Sequence, residues 1–472
     1  MKYKKLGKTN LTVSICGFGC YRVNQSINQH RSALEFALTN GINLVDTSAN
    51  YTDGGSEVLV GQVLEDVIKT GEFKLEDFVV VTKGGYIQGE NLRIASERER
   101  EGRPFKAVVK CSPDLWHCIH PEFLSHQITL SLGRLKIKKA DIYLLHNPEY
   151  FLTYSSISSD EERQKEYYHR IKKAFVHLEK EVKRGRISYY GISSNTFGEV
   201  SSKSSFTSLE KIIQIARGIS TNNHFAVIQL PFNLIERGAL ENKNQVNNSK
   251  SVLELASEEN LGVLINRPLN AIVDNKLTRL ADFAIRENRS FEEINELIKD
   301  LNEQENFLQK EFVDKTDFTS SEKKSLYDCL SLASILSQKY EKFESPNHFQ
   351  EIKGYYLIPR ANYAISQLVG KLTNNEELIN VIKRYAVTTN ILLDSIESDL
   401  SLKHNETNRR LHEETAKYLD EEQKKLSLSQ KAILMINSLS EVSCTLVGMR
   451  KIEYVKDVLG SIRTEYVKNP FK

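Results

Sequence analysis

The sequence predicts an α/β fold, a (β/α)8 barrel of the TIM type, and three observations carry that reading. The first is a rhythm. A short apolar run, a polar or glycine-containing break and an amphipathic stretch recur through residues 1 to 270, as a parallel sheet with crossover helices requires. The second is the number of apolar runs. Seven of them, at residues 14–19, 42–46, 78–83, 141–146, 187–193, 225–229 and 261–267, are joined by an eighth far downstream at 442–448, which completes a closed cylinder. The third is the spacing between them. Val60, Val63, Leu64, Val67 and Ile68 fall on one helical stripe suited to the outside of a barrel. Thr39-Asn40-Gly41-Ile42 and Lys183-Arg184-Gly185-Arg186-Ile187 supply turn signals where a helix hands over to a strand.

The chain has 472 residues, 64 Lys and Arg against 62 Asp and Glu, and a net charge of +2. That balance offers no basic excess for nucleic acid or an anionic membrane, so neither is expected as a partner. No apolar run reaches the roughly 18 residues of a membrane span, and no apolar segment follows the charged start Met1-Lys2-Tyr3-Lys4-Lys5. A cytoplasmic protein is expected. Its scattered cysteines (Cys16, Cys20, Cys111, Cys118, Cys329 and Cys444) agree with a reduced compartment.

The expected barrel domain comprises residues 1–276 and 426–472, and residues 277–425 form a mainly helical insertion after strand seven. The insertion has enough Leu and Ile to bury a face, with helices expected at Phe291 to Phe307 and Leu378 to Leu402. A shorter elaboration follows strand three, from Gly84 to about Pro121. Within it Cys111-Ser112-Pro113-Asp114-Leu115-Trp116-His117-Cys118-Ile119-His120 gathers two Cys and two His, but the spacing fits no standard zinc pattern and no metal is expected. Trp116 is expected in the wall of a substrate loop.

Active sites of such barrels lie at the C-terminal ends of the strands. Here those ends are polar: Asp46 on strand two with Tyr51 five residues on, Lys83 on strand three, His146 on strand four, Ser193-Ser194-Asn195 on strand five and Gln229 on strand six. A carboxylate, a phenol, an ammonium and an imidazole at one mouth point to acid–base chemistry. An ammonium about 4 Å from a phenol favours the phenolate by about 4 kcal/mol at an effective dielectric near 20, roughly three pKa units before desolvation opposes it. The phenol is therefore expected to be tuned toward working pH, with Asp46 orienting the lysine.

These segments resemble the aldo-keto reductases. Residues 3–14 with Gly17-Phe18-Gly19 are similar to that family's N-terminal β-hairpin and first strand. Gly41-Ile42-Asn43-Leu44-Val45-Asp46-Thr47-Ser48-Ala49-Asn50-Tyr51, followed by Gly55-Ser56-Glu57, resembles its most diagnostic motif. Val81-Thr82-Lys83, Asp141 to Pro148, Gly191-Ile192-Ser193, Gln229, Arg267-Pro268-Leu269 and Val447-Gly448-Met449-Arg450 continue in the family's order.

The resemblance implies a catalytic tetrad of Asp46, Tyr51, Lys83 and His146 and a nicotinamide dinucleotide cofactor, NADPH/NADP, bound without a Rossmann domain. Carboxamide contacts carry over to Ser193, Ser194 or Asn195, and Gln229. Arg267-Pro268-Leu269 becomes the pyrophosphate segment, and Gly448 with Arg450 closes the cofactor site. Arg450 stands where a guanidinium meets the adenosine 2′-phosphate, which favours NADPH. The implied activity is NADPH-dependent reduction of a small aldehyde, ketone or sugar-like carbonyl, or the reverse alcohol oxidation, with Tyr51 as the acid. The alternative is a nicotinamide-binding, redox-sensing subunit, weakly catalytic or not at all, that engages a protein partner through the insertion. A homo-oligomer formed through the same segment is a further expectation.

Overall fold

The computed structural model describes residues 1–471 apart from 274, 275, 287, 344 and 374. Its sheet closes on itself. Strands β3 (Cys16–Gly19), β4 (Leu44–Asp46), β5 (Val79–Gly84), β9 (Ala140–His146), β10 (Ile187–Ser193), β11 (Phe225–Pro231), β12 (Gly262–Asn266) and β13 (Cys444–Val447) form a parallel barrel in sequence order. With helices around it this is a (β/α)8 barrel. Ahead of it, β1 (Tyr3–Lys5) and β2 (Thr12–Ser14) pair as an antiparallel hairpin.

Side-chain parity along the strands organises the interior. Leu44, Val79, Val81, Ile142, Leu144, Val227, Leu264, Cys444 and Leu446 fill the cylinder, together with Leu6 and Val13 of the hairpin. Their strand neighbours, among them Tyr143, Leu145, Tyr190, Ile192, Ile228, Val263 and Ile265, face the helices and belong to the larger outer core. The hairpin stoppers the N-terminal end. Lys8 N–H donates to Asn260 O at 2.6 Å, and a Cβ at Gly7 would sit 2.2 Å from the Gly262 nitrogen, so only glycine permits that approach.

Continuing the inward parity two residues past the apolar layer, Leu44 gives Asp46, Val81 gives Lys83, Leu144 gives His146, Gly191 gives Ser193, Val227 gives Gln229 and Leu264 gives Asn266. Gly448 and Gly19 close this ring of positions on the last and first strands. Six polar side chains on consecutive strands therefore share one rim.

The elaboration after β5 builds its own sheet from β6 (Tyr86–Ile87), β7 (Val109–Ser112) and β8 (Leu115–His117), with a helix over Gly89–Arg100. Trp116 does not join the ring. It packs on the cluster of Ile87, Ala95, Phe105, Cys118 and Phe123, with the Lys110 ammonium 4.2 Å above its ring.

The chain divides into two compact units, Met1–Leu280 with Thr415–Lys472, and Ala281–Glu414. The second is helical, including Phe291–Phe307, Ser320–Cys329, Leu332–Lys339, Ile358–Lys371 and most of a long helix over Glu376–Ala416. Its core holds Ile294, Leu301, Leu336, Phe349, Leu392 and Leu393. Buried Glu305 accepts N–H bonds from Leu332 at 2.8 Å and Ala333 at 3.1 Å and so caps the helix that starts there, while burial pushes its carboxyl up to about 7.

Two glycines test the packing in opposite directions. A Cβ at Gly61, in the helix Gly55–Lys69, would lie 2.6 Å from Leu135 O and 2.7 Å from Arg134 O of the helix Pro121–Leu135, backbone atoms that cannot rotate aside. Gly133 is exposed and a Cβ there meets nothing within 4 Å. Gly61→Ala is expected to destabilise by about 1–3 kcal/mol and Gly133→Ala to stabilise by about 0.5–1 kcal/mol. Urea denaturation of both variants checks the two signs.

Candidate active site

Lys83 is the centre of the rim. Its ammonium is fully buried and donates three hydrogen bonds, to Asp46 Oδ2 at 2.7 Å, Thr47 O at 2.8 Å and the Tyr51 hydroxyl oxygen at 3.3 Å. All three N–H groups are thereby used. Asp46 is completed on its other oxygen by Gln229 Nε2 at 2.8 Å. Burial pushes the Asp46 carboxyl up and the Lys83 amine down, and in each case the partner's charge opposes the shift.

Tyr51 reaches this ion pair from a turn. Residues Tyr51–Gly54 form a 3-10 segment in which Thr52, Asp53 and Gly54 have φ of 47°, 55° and 85°. Three successive left-handed residues are unfavourable, and side-chain bonds hold two of them. Thr52 Oγ1 donates to Val23 O at 2.8 Å, and the Asp53 carboxylate accepts the Glu90 N–H at 3.0 Å. The same turn leads into the helix Gly55–Lys69, whose buried Glu57 accepts from Thr82 Oγ1 at 2.5 Å and from Arg134 Nε at 2.6 Å. Thr82 is the residue before Lys83, so this pair anchors the end of β5.

The expected acidification of the phenol does not occur. Burial pushes Tyr51 well above its ordinary value, and the Asp46 charge adds to the rise. Two effects defeat the ammonium: the phenolate would be largely stripped of water, and the Asp46 carboxylate presents a compensating negative charge. Tyr51 is thus a protonated phenol at neutral pH. Its oxygen accepts from Lys83, and its own proton has no acceptor among the described residues.

His146 faces Tyr51 edge-on, with ring centroids 5.8 Å apart. Its Nδ1 lies 3.0 Å from Ser48 Oγ, which donates to Asn50 Oδ1 at 2.8 Å, and Asn50 Nδ2 donates to Gln88 Oε1 at 3.2 Å. A serine hydroxyl has one proton, so with this polarity Ser48 accepts from His146 Nδ1–H and the Nε2 lone pair is left without a partner among the described residues. Burial and the nearby Lys83 charge hold the imidazole neutral, well below its ordinary value.

Two residues outside the expected tetrad and cofactor set complete this corner. His117 donates from Nε2 to the His146 carbonyl at 2.7 Å, and Tyr86 stands edge-on to His146 with centroids 4.7 Å apart. Tyr150 stacks on His117 at 5.7 Å, while Tyr21, mostly exposed, meets Tyr51 at 5.3 Å. In the sequence His117 stands only in the Cys- and His-containing stretch 111–120, which gives no sign of its place beside His146.

On the opposite arc, Ser193 Oγ donates to Gln229 Oε1 at 2.9 Å. Ser194 turns away, 3.2 Å from Thr196 Oγ1, and Asn195 is exposed with its N–H donated to Glu149 Oε1 at 2.8 Å. Only Ser193 of the three joins the ring. Arg267 has φ of 52°, donates from Nη2 to Glu236 Oε1 at 2.8 Å, and its buried Nε lacks a partner among the described residues. Pro268 and Leu269 are buried behind it. At Gly448 a Cβ would meet nothing within 4 Å, so there is open space beside that strand end. Arg450 follows, close enough to Arg279 and His30 to act on both electrostatically, and Arg22 acts on Arg279 as well. Three guanidiniums share this corner.

A (β/α)8 barrel with a buried Asp–Lys pair, a phenol and a neutral imidazole on one rim defines a class of barrel equipped for proton transfer. The family model described as the Aldo/keto reductase family matches residues 17–311, and the chain belongs to that family. The NADH-specific methylglyoxal reductase of Escherichia coli (strain K12) is 33% identical over 155 residues, 31% of this chain and 42% of the relative. The oxidoreductase YqkF of Bacillus subtilis (strain 168) is 28% identical over 215 residues, 44% of this chain and 55% of the relative. The chain thus spans about half the length of these curated relatives. Among solved structures, the glycerol dehydrogenase from Gluconobacter oxydans aligns with a TM-score of 0.48 and 16% identity, over 99% of this chain and 91% of that one.

His117 makes stability depend on pH. Burial lowers it from 6.5 to about 4, so the unfolded chain binds a proton that the folded chain refuses, and stability present above pH 6.5 is lost as pH falls toward 4. The difference is about 3 kcal/mol. His117→Gln is expected to remove about that much of the stability lost between pH 7 and pH 4, as read by urea denaturation at the two values.

Proposed function

We propose that this chain is an NADPH-dependent carbonyl reductase, or the same catalyst run as an alcohol dehydrogenase, acting on a small aldehyde, ketone or sugar-like substrate. One observation carries the reading: Lys83 spends its third N–H on the Tyr51 oxygen, which leaves the phenolic proton undirected beside a neutral imidazole. An oxygen atom placed between Tyr51 and His146 would receive that proton. As the proton leaves, charge develops on an oxygen already held by a buried ammonium, which stabilises it where it forms.

The residues present suit a nicotinamide dinucleotide. An amide oxygen at Asn266 and a guanidinium nitrogen at Arg267, both buried and without a partner among the described residues, offer an acceptor and a pyrophosphate donor, while the open space at Gly448 and the arginine corner offer room for a planar ring and cationic partners for phosphate. Bound there, the dinucleotide would supply the hydride. Ser193, Gln229, Arg267, Pro268, Leu269, Gly448 and Arg450 are the residues we assign to holding it, and Arg450 with Arg22 and Arg279 favours the 2′-phosphate of NADPH. The E. coli relative is named for NADH specificity, so both nucleotides belong in the assay.

Rotated to donate to His146 Nδ1, Ser48 would leave an Nε2–H for the reacting oxygen, and the same tautomer would serve carbonyl reduction and its reverse, with the hydroxyl proton exchanged with Tyr51. Asp46 and Gln229 fix the ammonium, and the aromatic wall of Tyr86 and Tyr150 excludes water.

Tyr51→Phe is expected to lower carbonyl-dependent NADPH oxidation by about 10²–10⁴-fold while NADPH binding, followed by fluorescence, is retained. Full turnover in that variant would refute the mechanism. NADPH binding with no turnover on any carbonyl in the unmutated chain would instead favour the redox-sensing subunit. Burial lowers the Lys83 amine and raises the Tyr51 phenol, so the ionisation at the alkaline end of the pH–rate profile is expected to be that of Lys83. Asp46→Asn removes the charge and hydrogen bond that raise Lys83, so kcat/KM plotted against pH is expected to fall off at lower pH in that variant than in the wild type.

A further inference from the structure

We propose that Asn266 is the residue that accepts a hydrogen bond from the carboxamide NH2 of the bound nicotinamide. The assignment rests on the reading of this rim as a nicotinamide dinucleotide site and names the contact that would orient the ring. Three observations lead to it.

The first is position. Parity along β12 runs Gly262, Leu264, Asn266, with Gly262 against the hairpin residue Leu6 and Leu264 in the inner core, so Asn266 is the inward residue at the C-terminal end of strand seven. It neighbours Gln229 on one side and, across strand eight, the open space at Gly448 on the other.

The second is the state of its amide. Asn266 Nδ2 donates to Gln229 Oε1 at 3.4 Å, which commits the nitrogen to the network. Its Oδ1 is buried and has no hydrogen-bond partner among the described residues. Buried carbonyl oxygens are ordinarily satisfied, so an unsatisfied one on a binding rim calls for a donor from a ligand.

The third is comparison within the ring. A carboxamide NH2 is a donor and needs an acceptor. Gln229 Oε1 already accepts from Ser193 Oγ and Asn266 Nδ2, the Asp46 oxygens are held by Lys83 and Gln229, and Ser193 Oγ is oriented as a donor to Gln229. His146 Nε2 lies on the far arc with Tyr51, where the reacting oxygen belongs. On the arc with Ser193 and Gln229, Asn266 Oδ1 is the buried oxygen that takes part in no hydrogen bond among the described residues; Ser193 Oγ is the rival acceptor, and analogue discrimination that persists in Asn266→Ala would point to it.

The test uses the full chain and three ligands in equilibrium titrations. These are the reduced dinucleotide, NADPH or NADH, whichever the wild type binds more tightly; its 3-acetylpyridine analogue, in which a methyl replaces the amide NH2; and the corresponding ADP-ribose fragment without nicotinamide. The wild type is expected to bind the analogue about tenfold more weakly than the parent, the net worth of one buried hydrogen bond. Asn266→Ala is expected to bind the parent about tenfold more weakly, to lose the distinction between parent and analogue, and to bind the fragment within twofold of the wild type. A wild type indifferent to the methyl replacement overturns the assignment without any variant. So does an Asn266→Ala protein that still discriminates the analogue, or one that loses the fragment as severely as the parent. A wild type that binds none of the three ligands removes the parent reading and this contact with it.

Discussion

A buried ammonium is the constraint to which the rest of the rim answers. Lys83 has no access to water, and its charge is tolerable only because three oxygens surround it at hydrogen-bond distance. Each oxygen arrives by a different route: the inward parity of β4 for Asp46, the backbone of the next residue for Thr47, and a strained turn for Tyr51. Removing one member of such a pair typically costs 3–5 kcal/mol, because the remaining charge is left uncompensated. The register that pairs Asp46 with Val81, two residues before Lys83, is therefore a condition on the chemistry as well as on the sheet.

From that centre hydrogen bonds cross the rim from side chain to side chain. Lys83 reaches Asp46, Asp46 reaches Gln229, and Gln229 takes up both Ser193 and Asn266. Four strands, β4, β10, β11 and β12, are thus tied to the lysine of β5 through side chains. Polarisation along such a chain strengthens its members, and a gap in it is costly. Among the described residues the hydrogen-bond chain is open at the Tyr51 proton and at Asn266 Oδ1, and the second lies on the side of the ring that Gly448 leaves vacant.

Much of this was legible in the sequence. Eight apolar runs with inward parity forced a cylinder, and each of Asp46, Lys83, His146, Ser193 and Gln229 lies at the end of such a run. Asn266 lies at the end of one too, but the neighbouring Arg267-Pro268-Leu269 drew attention away from it. The phenol's acidity could not be read from the residue types. The sequence names an ammonium neighbour, but the opposing effects of full burial and the Asp46 charge exist only once the chain is folded. His117 and Tyr86 were hidden for a related reason. They come from an elaboration whose strands are two to four residues long, too short for any period to announce which side faces strand four. Ser194 illustrates parity in the other direction, since one step along β10 from Ser193 sends its hydroxyl to Thr196 and away from the rim.

The hairpin has a kinetic consequence. With Leu6 and Val13 inside the cylinder and Gly7 pressed on Gly262, the barrel is a vessel with one mouth. Whatever lies deepest on the rim must arrive before, and depart after, whatever lies above it. A dinucleotide whose ring rests at strand seven would make turnover compulsorily ordered, nucleotide first on and last off, and product-inhibition patterns would record that sequence or contradict it.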